Sequence, residues 1–481
     1  MLVMTLTMFQ PSTLTQIITT IPAILFWGFF SLSSGLLLLL AIIESIHFFV
    51  RKDRWIQYFN YWRQWLSSFL WITLASWVGL LAVLAINWSN LFLKVPFIIS
   101  LVSVGCEIFV ILVAAILLYL MQKKRERFSA KNHLIVTWLS GLFFNLTLWW
   151  PVAISAWAEC PLGTLVNSND MTLSYSNLSW VVLSPLAALK FFHMMTSCWV
   201  VGATFFTSIC CVNYLRNQAL EKDKTCIFIG ITVTFLSLVL TMCIGDSTGY
   251  TVAKQQPMKM ATIQDIEKGG KQMPFTLFGP IKFSNMLSRL STHSNFGFVP
   301  GKEDVVNGGY ALPEGGMAKS FQEKHDLALQ AFKTRHGIND ERQEQQFRYE
   351  SQYLGYASLN SPSQTKLSSD IFFWAFRIMI GTGFFLLLLL GSLIYALISN
   401  TSTWSNRILR VNILTFPLAL CCTLCGWFIA EFGKYPWAIT DFITVSDVLP
   451  HYPTFIYYAE LILVILLSIA LIFFSIRKNK I

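Results

Sequence analysis

An ionisable side chain inside a lipid-spanning segment costs a few kcal/mol, so each one found in an apolar run is a candidate for chemistry first. In this chain those residues are Glu44, Glu107, Lys190 with His193, Arg377 and Glu431. For Glu44 and Lys190 the favoured reading is interhelical hydrogen bonding or snorkelling to the interface. His193 and Met379 lie in different apolar segments, and an imidazole facing a thioether across a bundle suits six-coordinate haem iron, with the Met raising the reduction potential. Composition alone leaves other readings open, because a lone intramembrane His is more often a helix contact or proton-relay residue, and 14 Met are present. A relay through Glu107, His193 and Glu431 would suit a proton-coupled transporter, although neither inverted repeats nor broken helices in matching halves support one.

The elements that must hold these groups are set by composition. Of 481 residues, 54% are apolar or aromatic and 12% charged, which is too apolar for a soluble fold. Forty Phe, 17 Trp and 15 Tyr supply interfacial belts and exclude collagenous, disordered and disulfide-stapled classes. The net charge of +10 would suggest nucleic acid in a soluble chain. Here Lys and Arg gather in short loops between apolar runs, so the basicity is topological and no nucleic-acid partner is expected. Apolar stretches long enough to cross the bilayer occur near 21–50, 65–86, 93–121, 134–157, 183–214, 225–245, 371–398, 408–431 and 455–476. The first is longer than a signal-peptide core and lacks a cleavage site, so it is expected to be retained.

The expected fold is therefore an all-α integral membrane bundle of nine transmembrane helices. Cations cluster around Arg51 to Arg63, Lys123 to Lys131, Arg216 to Lys224, Arg407 to Arg410 and Arg477 to Lys480, all on one side of a nine-span chain. That bias places the N-terminus outside and the C-terminus in the cytoplasm. Three parts follow: 1–245 with helices 1–6, an outer loop over 246–370, and 371–481 with helices 7–9. A loop that long is usually functional or disordered, and the amphipathic pattern around Ala318 to Gln346 predicts one or two surface helices. Ten Cys are present, mostly in apolar spans, so no disulfide framework is implied. The Cys422-x-x-Cys425 spacing sits mid-helix without a second pair, and helix packing outweighs metal binding there.

Several strings carry a resemblance. Gly245-Asp246-Ser247-Thr248-Gly249-Tyr250, Gln256-Pro257-Met258-Lys259-Met260-Ala261, Phe275-Thr276-Leu277-Phe278-Gly279, Phe376-Arg377-Ile378-Met379 and Gly426 through Trp437 resemble subunit I of the cytochrome bd quinol oxidases. So do Ala41-Ile42-Ile43-Glu44-Ser45, Asn87-Trp88-Ser89, Thr137-Trp138-Leu139 and Lys190-Phe191-Phe192-His193, in the same order and nearly the same spacing. The resemblance implies that His193 and Met379 ligate a low-spin haem b near the outer surface, and that Arg377 is associated with it. An i, i+2 neighbour points away from the Met, so a propionate contact suits Arg377 better than one to iron. It further implies a quinol-binding outer loop involving Lys259, Asp246 and Gln264, and Glu431 as ligand at a high-spin dihaem oxygen site built from haem b, haem d or both.

The departures from the family pattern are specific. The first-span histidine that would ligate a high-spin haem is Phe26, the second acid of the third span is Ala115, and Glu107 is one residue out of register with the first. One residue rotates a helical side chain by about 100°, which leaves Glu107 as ligand or merely as neighbour. The loop glutamate is Gln264 and an arginine is Lys434. The implied activity is oxidation of quinol at the outer face and reduction of oxygen to water. The implied partners are a subunit II-like membrane protein, optionally a small single-helix subunit, and the quinone pool of the bacterial cytoplasmic (inner) membrane. The losses at Phe26 and Ala115 keep open a haem-b quinol dehydrogenase-like paralogue without oxygen reduction.

Overall fold

The computed structural model describes residues 11–123, 128–216, 221–277, 281–399, 402–450 and 452–478. Lys124 to Arg127 of an expected basic loop, Phe278 and Gly279 of one motif, and the last residues of the basic tail lie outside the described residues.

Among the described residues, nine helices are long and apolar enough to cross a membrane. The helices that build the bundle are α1 (Pro11–Val50), α2 (Asp53–Asn87), α3 (Leu101–Lys123), α4 (Ala130–Leu146), α5 (Trp149–Glu159), α6 (Pro185–Arg216) and α7 (Glu221–Gln255). After a polar segment holding α8 (Pro257–Gln264), α9 (Met286–Thr292), α10 (Phe321–Thr334) and α11 (Glu341–Glu350) come α12 (Ser369–Ser399), α13 (Ser402–Asn412), α14 (Thr415–Phe432) and α15 (Thr454–Lys478). Helices dominate because lipid offers backbone groups no water, so each span must satisfy its own N–H and C=O. Among the described residues, strands are confined to two-stranded antiparallel pieces, such as Thr164–Val166 on Leu173–Tyr175 and Trp437–Ile439 on Ile443–Thr444.

The core forms where α1 packs on α2 and α6, and α6 on α7. Small residues decide how closely. A Cβ built on Gly35 of α1 would lie 2.5 Å from the Cα of Gly202 on α6, so only glycine lets these backbones meet. Aromatic rings fill the adjoining layer, with Phe30 stacked on Phe144 at 4.5 Å and Phe26 5.6 Å from Phe30. In contrast, only 6% of the α15 span and 11% of the α3 span are buried. An apolar helix that buries so little within its own chain faces lipid or another membrane protein.

Several boundaries differ from the sequence expectation: the first and second spans begin at Pro11 and Asp53 rather than near 21 and 65, and two further differences bear on the site. The third span begins at Leu101 rather than near 93, because Pro96 opens a 3-10 turn over Pro96–Ile99 and separates it from the short helix Ser89–Lys94. The sixth continues to Gln255 instead of stopping at 245, since nothing breaks it before Pro257. Asp246 therefore stands on a helix, not in a loop.

The 246–370 segment is built and not featureless. Where one or two surface helices were expected there are two, α10 and α11, each with a side-chain cap: Glu323 N–H donates to Ser320 Oγ at 3.2 Å, and Gln343 N–H to Asp340 Oδ1 at 2.8 Å. All ten Cys are free thiols. Cys422 does pack helices together, donating to the backbone oxygen of Met379 at 3.2 Å.

Candidate functional site

His193 of α6 and Met379 of α12 are set between the same two helices, because α6 and α12 each pack on both α7 and α14. On α7, a Cβ added to Gly245 would stand 3.0 Å from Cε1 of His193. On α14, a Cβ added to Gly426 would stand 3.0 Å from Sδ of Met379. Each prospective ligand thus faces a wall from which the side chain has been removed. The buried Nδ1 of His193 has no hydrogen-bond partner, a costly condition for an imidazole nitrogen in apolar surroundings. An orphaned nitrogen, a thioether and two glycine walls are the donors and space that a six-coordinate haem requires, so the residues present fit that group.

Glu431, half-buried at the end of α14, joins a charged network whose other side of Glu159, Lys190 and Lys259 is buried. Its Oε1 accepts from Ser155 Oγ at 2.8 Å, and its Oε2 lies 3.2 Å from Lys434 Nζ. Lys190 Nζ donates to Ser155 at 2.9 Å and to Glu159 Oε1 at 2.8 Å. Lys259 Nζ is 3.4 Å from the same Glu159 oxygen and bonds the Ala430 carbonyl at 3.1 Å, while Gln256 Nε2 reaches Glu159 Oε2 at 2.9 Å. Three lysines thus face two carboxylates. Burial holds the Lys259 ammonium below the usual lysine range, against the opposing pull of Glu159. At Lys434 burial acts the same way, but Glu431 and Glu159 outweigh it and the net shift is upward.

Lys190, expected to hydrogen-bond between helices or to snorkel, makes the bond. Glu44 does likewise: its Oε1 lies 2.5 Å from His133 Nδ1, and both residues are buried. Arg377 is fully buried. Its Nε and Nη2 donate to the Thr276 carbonyl, Nη1 to that of Ile263, and Nη2 also to Gln264 Oε1 at 2.8 Å. With four hydrogen bonds to the polar segment, only one of five N–H groups is left for the propionate contact expected from its place beside Met379.

The three residues expected to bind quinol are not in one place. Lys259 lines a narrow cleft with Lys434, Tyr356, Trp437 and Asp441. Asp246 lines another, open one, with Met286, Arg289, Leu290 and His293. Gln264 is buried beneath Arg377 and lines neither. In the first cleft, burial raises Asp441 above the usual carboxylate range despite Lys324 and Tyr356, and lifts the Tyr356 phenol well above its own.

Glu107 is half-buried on α3, without a hydrogen-bond or ion-pair partner among the described residues, and α3 packs chiefly on α4. Phe26 is buried against Trp27 and Phe30. Sequence reasoning missed Glu159, Ser155, Gln256 and His133. Glu159 and His133 lay just beyond the ends assigned to span four, where a charged residue looks like loop. The signal was helical phase, since Ser155 and Glu159 are four apart and share one face.

The family model for cytochrome bd terminal oxidase subunit I matches residues 14–478. Over 453 residues the chain is 25% identical to cytochrome bd-II ubiquinol oxidase subunit 1 of Escherichia coli (strain K12), covering 86% of this chain and 85% of that one. It is 21% identical over 437 residues to cytochrome bd ubiquinol oxidase subunit 1 of Bacillus subtilis (strain 168), covering 87% and 82%. Its fold is similar to that of the bd oxidase from Geobacillus thermodenitrificans, with a TM-score of 0.78, 16% identity, and 98% and 97% of the two chains covered. The chain belongs to the cytochrome bd terminal oxidase subunit I family.

Proposed function

We propose that this chain is the quinol-oxidising subunit of a bd-type terminal oxidase in a bacterial cytoplasmic membrane, with its N-terminus and the 246–370 segment outside. One observation carries the reading: His193 and Met379 are each faced by a glycine, and Asp246, which lines an open cleft, directly follows the glycine that abuts His193. An electron donor in that cleft would lie one residue along α7 from the position that faces His193.

When bound, haem supplies one-electron redox chemistry at a low-spin iron and an open coordination position at a high-spin one. The protein's part is positional. His193 and Met379 would hold the low-spin haem, Glu431 would serve the high-spin site, and Asp246 would orient a quinol hydroxyl. The lysines around Glu159 and Glu431 would balance negative charge brought into a low-dielectric site. A subunit II-like partner is proposed to cover the apolar faces of α3 and α15, which bury little within this chain.

A quinol dehydrogenase-like paralogue is the second reading. It is favoured by Phe26 in aromatic packing and by the engagement of both Glu431 oxygens, one by Ser155 and one by Lys434. Reduced-minus-oxidised spectra of the purified complex separate the two. The oxidase reading expects a low-spin b signal together with a high-spin signal that disappears in Glu431→Gln; a low-spin signal alone supports the paralogue, and no haem at all overturns both.

A further inference from the structure

Oxidising a quinol releases two electrons and two protons, so its site needs two groups able to take a proton beside one electron acceptor. The loop position that is acidic in the family pattern is Gln264, which cannot accept one, and its amide oxygen is held by Arg377 at 2.8 Å in a buried position. The question is which residue replaces it. In the cleft lined by Asp246 there is one other group of the right chemistry, His293.

His293 is built into place. It caps α9 in the left-handed region at φ 56°, and its ring lies flat on Tyr250 of α7 at 3.9 Å between centroids with 9° between planes. Tyr250 is one helical turn beyond Asp246, so one face of α7 carries both the ring that supports His293 and the carboxylate opposite it. The titratable and charged groups facing His293 are Tyr250 and Asp246 from α7 and Arg289 from its own helix. The strand Phe298–Val299, also packed on α9, adds none. The imidazole is exposed, so a proton taken there can leave to bulk water.

We infer that His293 is a catalytic proton acceptor for quinol in this chain, paired with Asp246 across the cleft and standing in for the missing loop acid. This rests on the quinol-oxidase reading above. One quinol O–H gives its proton to an imidazole nitrogen of His293 and the other to the Asp246 carboxylate. His193 and Met379 would hold the haem that accepts the two electrons one at a time, so that the quinol leaves as quinone and both protons pass to the outer solution.

The test uses the whole complex. His293→Asn keeps a side chain that tolerates the left-handed backbone. It should slow reduction of the low-spin haem by a short-chain quinol about tenfold or more and remove the acid limb of the kcat/KM profile. The dithionite-reduced spectrum should stay unchanged, and so should short-chain quinone binding by calorimetry, within about twofold. In His293→Gly, added imidazole should restore the rate. If His293→Asn reduces its haem at the wild-type rate with the wild-type pH profile while Asp246→Asn is slow, the role of His293 is overturned and the quinol site stands. If wild-type haem is not reduced by quinol at all, the underlying reading falls with it.

Discussion

Lys190 Nζ lies 2.8 Å from Glu159 Oε1, both side chains buried, and Lys190 is one helical turn before His193 on α6. The pair pins α6 to α5 and, through Ser155, to Glu431 of α14. The Glu159 carboxylate also receives Lys259 at 3.4 Å and Gln256 at 2.9 Å. Removing one partner of a buried pair leaves a charge uncompensated, which typically costs about 3–5 kcal/mol.

Glu159→Gln should therefore destabilise the protein strongly, because three lysines would then face Glu431 alone. Glu159→Gln combined with Lys190→Met should lose less than the single change, since it removes the orphaned ammonium. Chemical denaturation followed by haem absorbance measures both. A single variant as stable as wild type would show that water already reaches the cluster.

The glycines facing the two prospective ligands should differ in their tolerance. In Gly245→Ala the new Cβ would press on the rigid His193 ring, and the low-spin spectrum should shift or be lost. In Gly426→Ala the same 3.0 Å contact meets the flexible thioether of Met379, which can rotate aside, so the spectrum should change less. Equal and negligible effects in reduced-minus-oxidised spectra would argue that no haem occupies the slot between them.

The number of spans was legible because bilayer thickness sets a length that apolar runs must meet, and the residues for chemistry were legible because charge is rare in such runs. Contacts between distant segments were not. Nothing in the sequence around Gln264 says that Arg377, more than a hundred residues away, holds its amide, or that Lys259, Asp246 and Gln264 point to three different places. Glu159 escaped notice because charge at a span's end is ordinary, and only packing reveals that this end is covered. His293 carried no motif, and its place opposite Asp246 exists only once α9 folds onto α7.

Asp441 provides a pH test away from the spans. Its folded-state pKa is raised by burial, so between the ordinary value near 4 and that raised value the folded state binds more protons than the unfolded one. Stability then falls as pH rises through this window and levels off above it. Asp441→Asn can still accept from Tyr356 and carries no charge, so it should flatten that slope and gain stability at neutral pH. Limited proteolysis of the 246–370 segment across pH 4 to 8 reads the difference; an identical pH dependence in wild type and variant would remove Asp441 from the explanation.

Arg377 separates two roles that its position beside Met379 would otherwise confuse. Four of its five N–H groups bind the polar segment, at the Thr276 and Ile263 carbonyls and Gln264 Oε1. Rings of Phe373, Phe275 and Phe376 surround the guanidinium, with Phe373 at 3.8 Å. Arg377→Met should leave those acceptors unsatisfied at about 1–3 kcal/mol each, release the segment to protease and raise the KM for quinol while the low-spin haem remains. Arg377→Lys should not rescue it, because one ammonium cannot span acceptors that a planar fork reaches together. If the residue acted mainly on the haem, the opposite pattern would hold: Arg377→Met would shift the haem reduction potential, Arg377→Lys would largely restore it, and the segment would stay resistant to protease in both.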